Sequence, residues 1–188
     1  QSTRAARGNL WAAALLLGAI PFAKLQAAPL AAALGLLLVI QEYVAGRGKN
    51  TWLLLGVALI PTLLFTALVT VTGQAEQMLI PYFLQNTLYA QTGRLPLSLV
   101  VRQLGEQSVT NGYHALWLAG CAVFCGGAMV FLRRAPDLLR RYALAAAGLL
   151  IIALFCILSP GRPYHHYLNL LTLPLTLLTG VALGLGLA

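Results

Sequence analysis

Thr51-Trp52-Leu53-Leu54-Leu55-Gly56-Val57-Ala58-Leu59-Ile60-Pro61-Thr62-Leu63-Leu64-Phe65-Thr66-Ala67-Leu68-Val69-Thr70-Val71 carries no charged side chain. A helix needs about 20 apolar residues to cross the hydrocarbon core of a bilayer. This stretch therefore predicts one transmembrane span, and it sets the yardstick for the rest of the chain.

The bulk composition agrees with that reading. Of 188 residues, 60% are hydrophobic and only 9% are charged, and the mean hydropathy is +0.82. Too few polar residues remain to cover a water-soluble particle, so lipid or other apolar helices must meet the remaining surface. The formal charge of +8 raises the alternative of nucleic-acid binding. The placement of the cations argues against it, because they cluster at the edges of apolar runs instead of forming a basic face.

Working outward, residues 113–132, 141–159 and 167–187 each read as a further span. Residues 10–43 are too long for one span and are interrupted at Pro21-Phe22-Ala23-Lys24 and at Pro29. They predict two helices, 10–22 and 25–43, with Lys24 in the turn between them; one kinked helix is the alternative. The expected architecture is all-α, a polytopic transmembrane helix bundle of about six spans forming a single transmembrane domain over residues 1–188. Threading six spans puts Arg4, Arg7, Arg47, Lys49, Arg133, Arg134, Arg140 and Arg141, eight of the twelve basic residues, on one side. The positive-inside rule makes that side cytoplasmic. The opposite, extracytoplasmic side receives the Lys24 turn, the segment 72–112 and the turn 159–166. Within 72–112, residues 77–84 and 96–104 are apolar enough to lie on the bilayer as interfacial helices, and Tyr82, Tyr89 and Tyr113 suit the headgroup level.

Candidate chemistry is sparse. Cys121 and Cys125 share a helix face but have no His or carboxylate partner nearby in the sequence, so packing is favoured over a metal site. Of the four acidic residues, Asp137 and Glu42 fall on the cytoplasmic side and Glu76 and Glu106 on the other, and no catalytic pair stands out. The informative cluster is Arg162, Tyr164, His165, His166 and Tyr167. It sets a fixed cation, two imidazoles and two phenols in one short turn at the membrane surface. Arg holds phosphate through paired hydrogen bonds, and His donates to it near neutral pH. Interfacial anchoring by Arg and Tyr accounts for the same residues equally well. Lys24 either snorkels to headgroups or neutralises a phosphate.

Gly161-Arg162-Pro163-Tyr164-His165-His166-Tyr167-Leu168, followed by Pro174 in an apolar helix, resembles the last part of the polytopic C-type glycosyltransferases. The likeness is to the protein mannosyltransferase and aminoarabinose transferase-like group, glycosyltransferase family 39-like. Phe22-Ala23-Lys24-Leu25-Gln26-Ala27 looks like the Lys-x-Gln turn between two apolar helices in the same enzymes. The resemblance implies transfer of a sugar from a polyprenyl-phosphate donor to a lipid, glycan or protein acceptor on the extracytoplasmic face, in a bacterial inner membrane. It gives Arg162 and His166 the donor-phosphate contacts, with His165, Tyr164 and Lys24 beside them. The implied partners are membrane lipid and the polyprenyl-phosphate-linked sugar, with no nucleic acid. No cofactor is called for; a divalent metal is the one addition that phosphate chemistry would admit.

One departure stands against the family pattern. Its acidic residues lie in the first extracytoplasmic loop, ahead of the matching region, and residues 1–23 contain no Asp or Glu. The chain begins Gln1-Ser2-Thr3 without an initiator Met, and is expected to be the C-terminal part of a longer enzyme. The alternative is a non-enzymatic membrane module, such as a transporter half or an assembly partner.

Overall fold

The computed structural model describes residues 2–85, 88, 92–110, 120, 122, 126 and 135–186. Every regular element among them is helical. The chain forms two compact units, Gln1–Thr92 and Gly93–Ala188. The expected span 113–132, with Cys121 and Cys125, falls almost wholly outside the described residues, as do Tyr89, Arg133 and Arg134.

In the first unit, α1 (Ser2–Ala23) is followed by a 3-10 turn (Leu25–Ala27), α2 (Ala28–Val44), α3 (Gly48–Val71), a short α4 (Ala75–Leu79) and a π-helical turn (Ile80–Gln85). Lys24 is extended, with φ −157° and ψ 104°, and this breaks the helix where Pro, Lys and a second Pro follow one another in the sequence. Two glycines end helices in the same way. Gly46 (φ 73°) follows α2, and Arg47 N donates to Glu42 O while Gly46 N donates to Tyr43 O. Gly73 (φ 67°) follows α3, with Gln74 N on Val69 O and Gly73 N on Thr70 O. These are Schellman closures, which need a residue that accepts positive φ at little cost.

α1 packs along α3 at close range, because a β-carbon at Gly18 would run into the backbone carbonyl of Ala58. Between apolar helices in lipid there is little hydrophobic driving force, and small residues gain van der Waals contact by letting backbones approach. Ala14, Leu17, Gly18, Ala31, Gly35 and Ala58 are among the apolar residues that line a cavity of about 620 Å³ between α1, α2 and α3.

In the second unit, α5 (Leu97–Thr110) lies on α6 (Asp137–Leu158) and on a 3-10 segment (His165–Leu171) that leads into α7 (Thr172–Gly186). Ala143, Ala146, Leu149, Ala153, Cys156 and Ile157 recur every three or four residues and form the buried stripe of α6. They pack on α7 and the segment before it, where Tyr167, Leu168, Leu171, Leu175, Leu178 and Val181 are buried.

Four helical stretches are long and apolar enough to cross a membrane: Leu25–Val44, Gly48–Val71, Asp137–Leu158 and His166–Gly184. Gly8–Ala23 is apolar but shorter. Their outer faces carry Leu53, Leu59, Leu63, Leu64, Leu68, Ile151 and Phe155 exposed. An apolar surface of that extent is compatible with lipid and not with water. The chain is an integral membrane protein.

Candidate functional site

The site belongs to the second unit and grows from two glycine-arginine turns. Pro160 has no N–H and cannot extend the α6 hydrogen-bond ladder, so α6 ends at Leu158, and Gly161 (φ 67°) redirects the chain after its N–H reaches Leu158 O at 3.0 Å. Across Pro163, Tyr164 N donates to Arg162 O at 3.0 Å, a three-residue turn suited to the φ of proline. Tyr167 N then closes on Tyr164 O at 2.9 Å and starts the 3-10 segment. The second turn is Gly93-Arg94-Leu95-Pro96, with Gly93 at φ 71° and Pro96 supplying the carbonyl that accepts from Leu99 N and Val100 N at the start of α5.

The two turns interlock. Leu95 N donates to Gly161 O at 3.0 Å, and Arg94 Nη2 donates to Ser159 O at 2.8 Å. The side chain of Arg94 lies over Gly161 where a β-carbon would stand. In return, Arg162 Nη2 is 3.3 Å from the position a β-carbon would take on Gly93. Each arginine therefore lies against the glycine of the other turn, two segments far apart in sequence. Arg94 is exposed, whereas Arg162 is half-buried with its Nε shielded from solvent.

Beside the arginines stands an aromatic cluster. The rings of Tyr164 and His166 stack at 5.5 Å and 22°, and Tyr167 meets both edge-on, at 5.4 Å from Tyr164 and 4.6 Å from His166. Tyr167 is the buried base of the cluster, at 4% exposure, and His166 presents its ring to the surface. A cavity of about 470 Å³ adjoins the turns, with Arg94 and Ser159 as its polar wall and Leu97, Val100, Phe155 and Leu158 as its apolar wall. The two described carboxylates of this unit are engaged by arginines of their own helices: Glu106 Oε1 accepts from Arg102 Nε at 2.8 Å, and Asp137 pairs with Arg140 at 3.5 Å.

Of the residues expected to hold a phosphate, Tyr164 and His166 come together with Tyr167, Arg162 joins them through the backbone turn that leads to Tyr164, and His165 opens the 3-10 segment. Lys24 belongs to the first unit. There it is half-buried, and burial pushes its ammonium below the usual 10.5. Its turn is held by Tyr82, whose hydroxyl donates to Pro21 O, one of the last carbonyls of α1. Phe22 stacks on Phe65 of α3 at 4.7 Å on the same stretch.

Arg94 is the residue that the sequence reading did not single out. Its signal was present as a near-repeat, Gly93-Arg94-Leu95-Pro96 against Gly161-Arg162-Pro163.

Glu42 was expected only as a charge at a helix end. It is instead 2% exposed, gripped by Arg47 through Nη2 at 2.5 Å and Nε at 2.8 Å and by Asn50 Nδ2 at 3.1 Å. The turn after α2 brings Arg47 back over it, so this carboxylate locks α2 to α3.

Comparison with protein-family models, with curated proteins and with solved structures finds no match for this chain.

Proposed function

We propose that this chain acts as a membrane glycosyltransferase that moves a sugar from a polyprenyl-phosphate carrier to an acceptor on the extracytoplasmic side. The observation that carries the reading is a cationic turn beside an apolar cavity: Arg94, whose turn is joined to that of Arg162, lines about 470 Å³ walled by Leu95, Leu97, Val100, Phe155 and Leu158. An anionic head on an apolar chain is the ligand chemistry such a site suits. The sugar and the transfer step rest on the likeness of residues 161–168 and 22–27 to C-type glycosyltransferases.

In this reading the acceptor hydroxyl attacks the anomeric carbon, the bond from that carbon to the phosphate oxygen breaks, and the polyprenyl phosphate leaves with the electron pair. Arg162 and His166 hold the leaving phosphate, where negative charge grows as the bond breaks. Tyr164 and His165 are the further phosphate contacts of the same turn. The acceptor's proton goes to a carboxylate base, which family members carry ahead of the region matched here. The reading also includes six spans, residues 77–84 and 96–104 at the bilayer surface, and placement in a bacterial inner membrane.

Arg162→Ala is expected to depress transfer from lipid-linked sugar by at least tenfold while membrane insertion stays intact. Unchanged turnover would overturn the assignment. The engagement of Glu106 and Asp137 by neighbouring arginines favours one other reading, a membrane module without chemistry. Isotope-labelled solute uptake in proteoliposomes, with no transfer activity, would select it.

A further inference from the structure

We infer that Arg94 is a second phosphate-binding cation and that the cavity next to it receives the first part of the lipid chain, so that a lipid phosphate binds with its head at the paired arginines and its tail among Leu97, Val100, Phe155 and Leu158. This rests on the proposal that a lipid-linked phosphate is the donor, and it adds which residues distinguish that lipid from a free phosphate.

Three observations carry it. First, only one hydrogen bond of the Arg94 guanidinium, Nη2 to Ser159 O, is found among the described residues, although the group has five N–H donors. That bond aims the planar group and leaves the remaining donors for a ligand. Second, the two turns interlock, with Leu95 N on Gly161 O, Arg94 over Gly161 and Arg162 Nη2 against Gly93, so that both arginines belong to one pair of joined turns. Third, Arg94 itself lines the cavity of about 470 Å³, a volume within the usual range of ligand pockets, and Leu97, which is 60% exposed, stands on its wall. Charge and apolar wall thus meet at one residue. A free phosphate would satisfy the first two features and leave the third without use.

The test uses the whole chain in nanodiscs of zwitterionic phospholipid and three probes: a long-chain isoprenyl phosphate, the matching uncharged isoprenol, and inorganic phosphate. The wild-type chain is expected to bind the isoprenyl phosphate at least tenfold more tightly than either of the others. Arg94→Gln should lower that affinity at least tenfold. Leu97→Trp, which fills the cavity from its apolar wall and keeps both arginines, should lower it as well but leave the weak binding of inorganic phosphate unchanged. A structural role for Arg94 alone would leave Leu97→Trp neutral. If the wild type binds the lipid phosphate and both variants bind it equally well, the inference is overturned and the donor proposal stands. If the wild type binds no lipid phosphate, both are overturned. Circular dichroism and elution volume check that each variant is folded.

Discussion

Arg94 occupies the space that a side chain at Gly161 would need, and Ser159, two residues before that glycine, accepts its hydrogen bond. Gly161 is also at φ 67°, where an L side chain is strained whatever room it has. Two independent reasons therefore demand glycine at this position.

Gly161→Ala is accordingly expected to destabilise the second unit by about 1–3 kcal/mol and to displace Arg94. Gly93→Ala shares the unfavourable φ but meets Arg162 Nη2 at 3.3 Å, the far end of a flexible side chain. It should be the milder change. Thermal unfolding of the two variants in detergent tests the order, and equal losses would show that the Arg94 contact is unimportant.

Gly18 is where α1 and α3 come closest, against the Ala58 carbonyl. Gly18→Val must push the helices apart at backbone, which cannot yield as a side chain can. A loss of roughly 1–3 kcal/mol is expected, with the first unit unfolding earlier under denaturant. Gly8→Val meets nothing within 4 Å and is the control.

Glu42 and Arg47 should respond asymmetrically. The carboxylate is 2% exposed and its guanidinium partner 51% exposed. Arg47→Met leaves a buried anion with Asn50 as its remaining described partner, whereas Glu42→Gln leaves a cation that water can reach. Arg47→Met is expected to be the more destabilising of the two, and the double variant to recover part of the loss. A double-mutant cycle measured by chemical unfolding decides it, and additive losses would show that the pair is not coupled.

Burial pushes the Tyr82 hydroxyl above its usual 10.0, and as a phenol it donates to Pro21 O. The folded chain keeps this proton at a pH where the unfolded chain has lost it. The contribution is full below pH 10.0 and is lost as pH rises through the higher folded value. Lys24 acts in the opposite sense: its folded value lies below 10.5, the unfolded chain binds more protons just beneath that pH, and stability rises with pH there. Tyr82→Phe should cost about 1 kcal/mol at neutral pH and remove the alkaline fall, and Lys24→Met should steepen that fall. Unfolding midpoints measured across the alkaline range test both signs.

The four stretches long and apolar enough to cross a membrane were legible because each is a long apolar run, and the helix break at Lys24 because Pro and Lys interrupt one. The Schellman closures at Gly46 and Gly73 are likewise written in adjacent residues. Other features were not. Tyr82 read as one of several interfacial tyrosines, yet it caps Pro21 O from 61 positions away. Glu42 read as a charge on the cytoplasmic side, yet the chain reversal returns Arg47 and Asn50 to it. Arg94 was not singled out at all, although Gly93-Arg94-Leu95-Pro96 partly repeats Gly161-Arg162-Pro163.

Membrane insertion is a sum over neighbours in the chain, because the cost of transferring a segment into lipid depends on the segment's own side chains and length. Reading residues in order is therefore enough to establish an integral membrane helix protein and to single out the turn at Arg162. Which cation shares that turn is a different kind of fact. Arg94 and Gly161 meet only because α5 lies on α6, and a positive φ at two distant glycines lets each backbone approach the other's arginine. That coincidence of packing and backbone conformation exists only in the folded chain, and it joins the turn of Arg162 to that of Arg94, beside an apolar cavity.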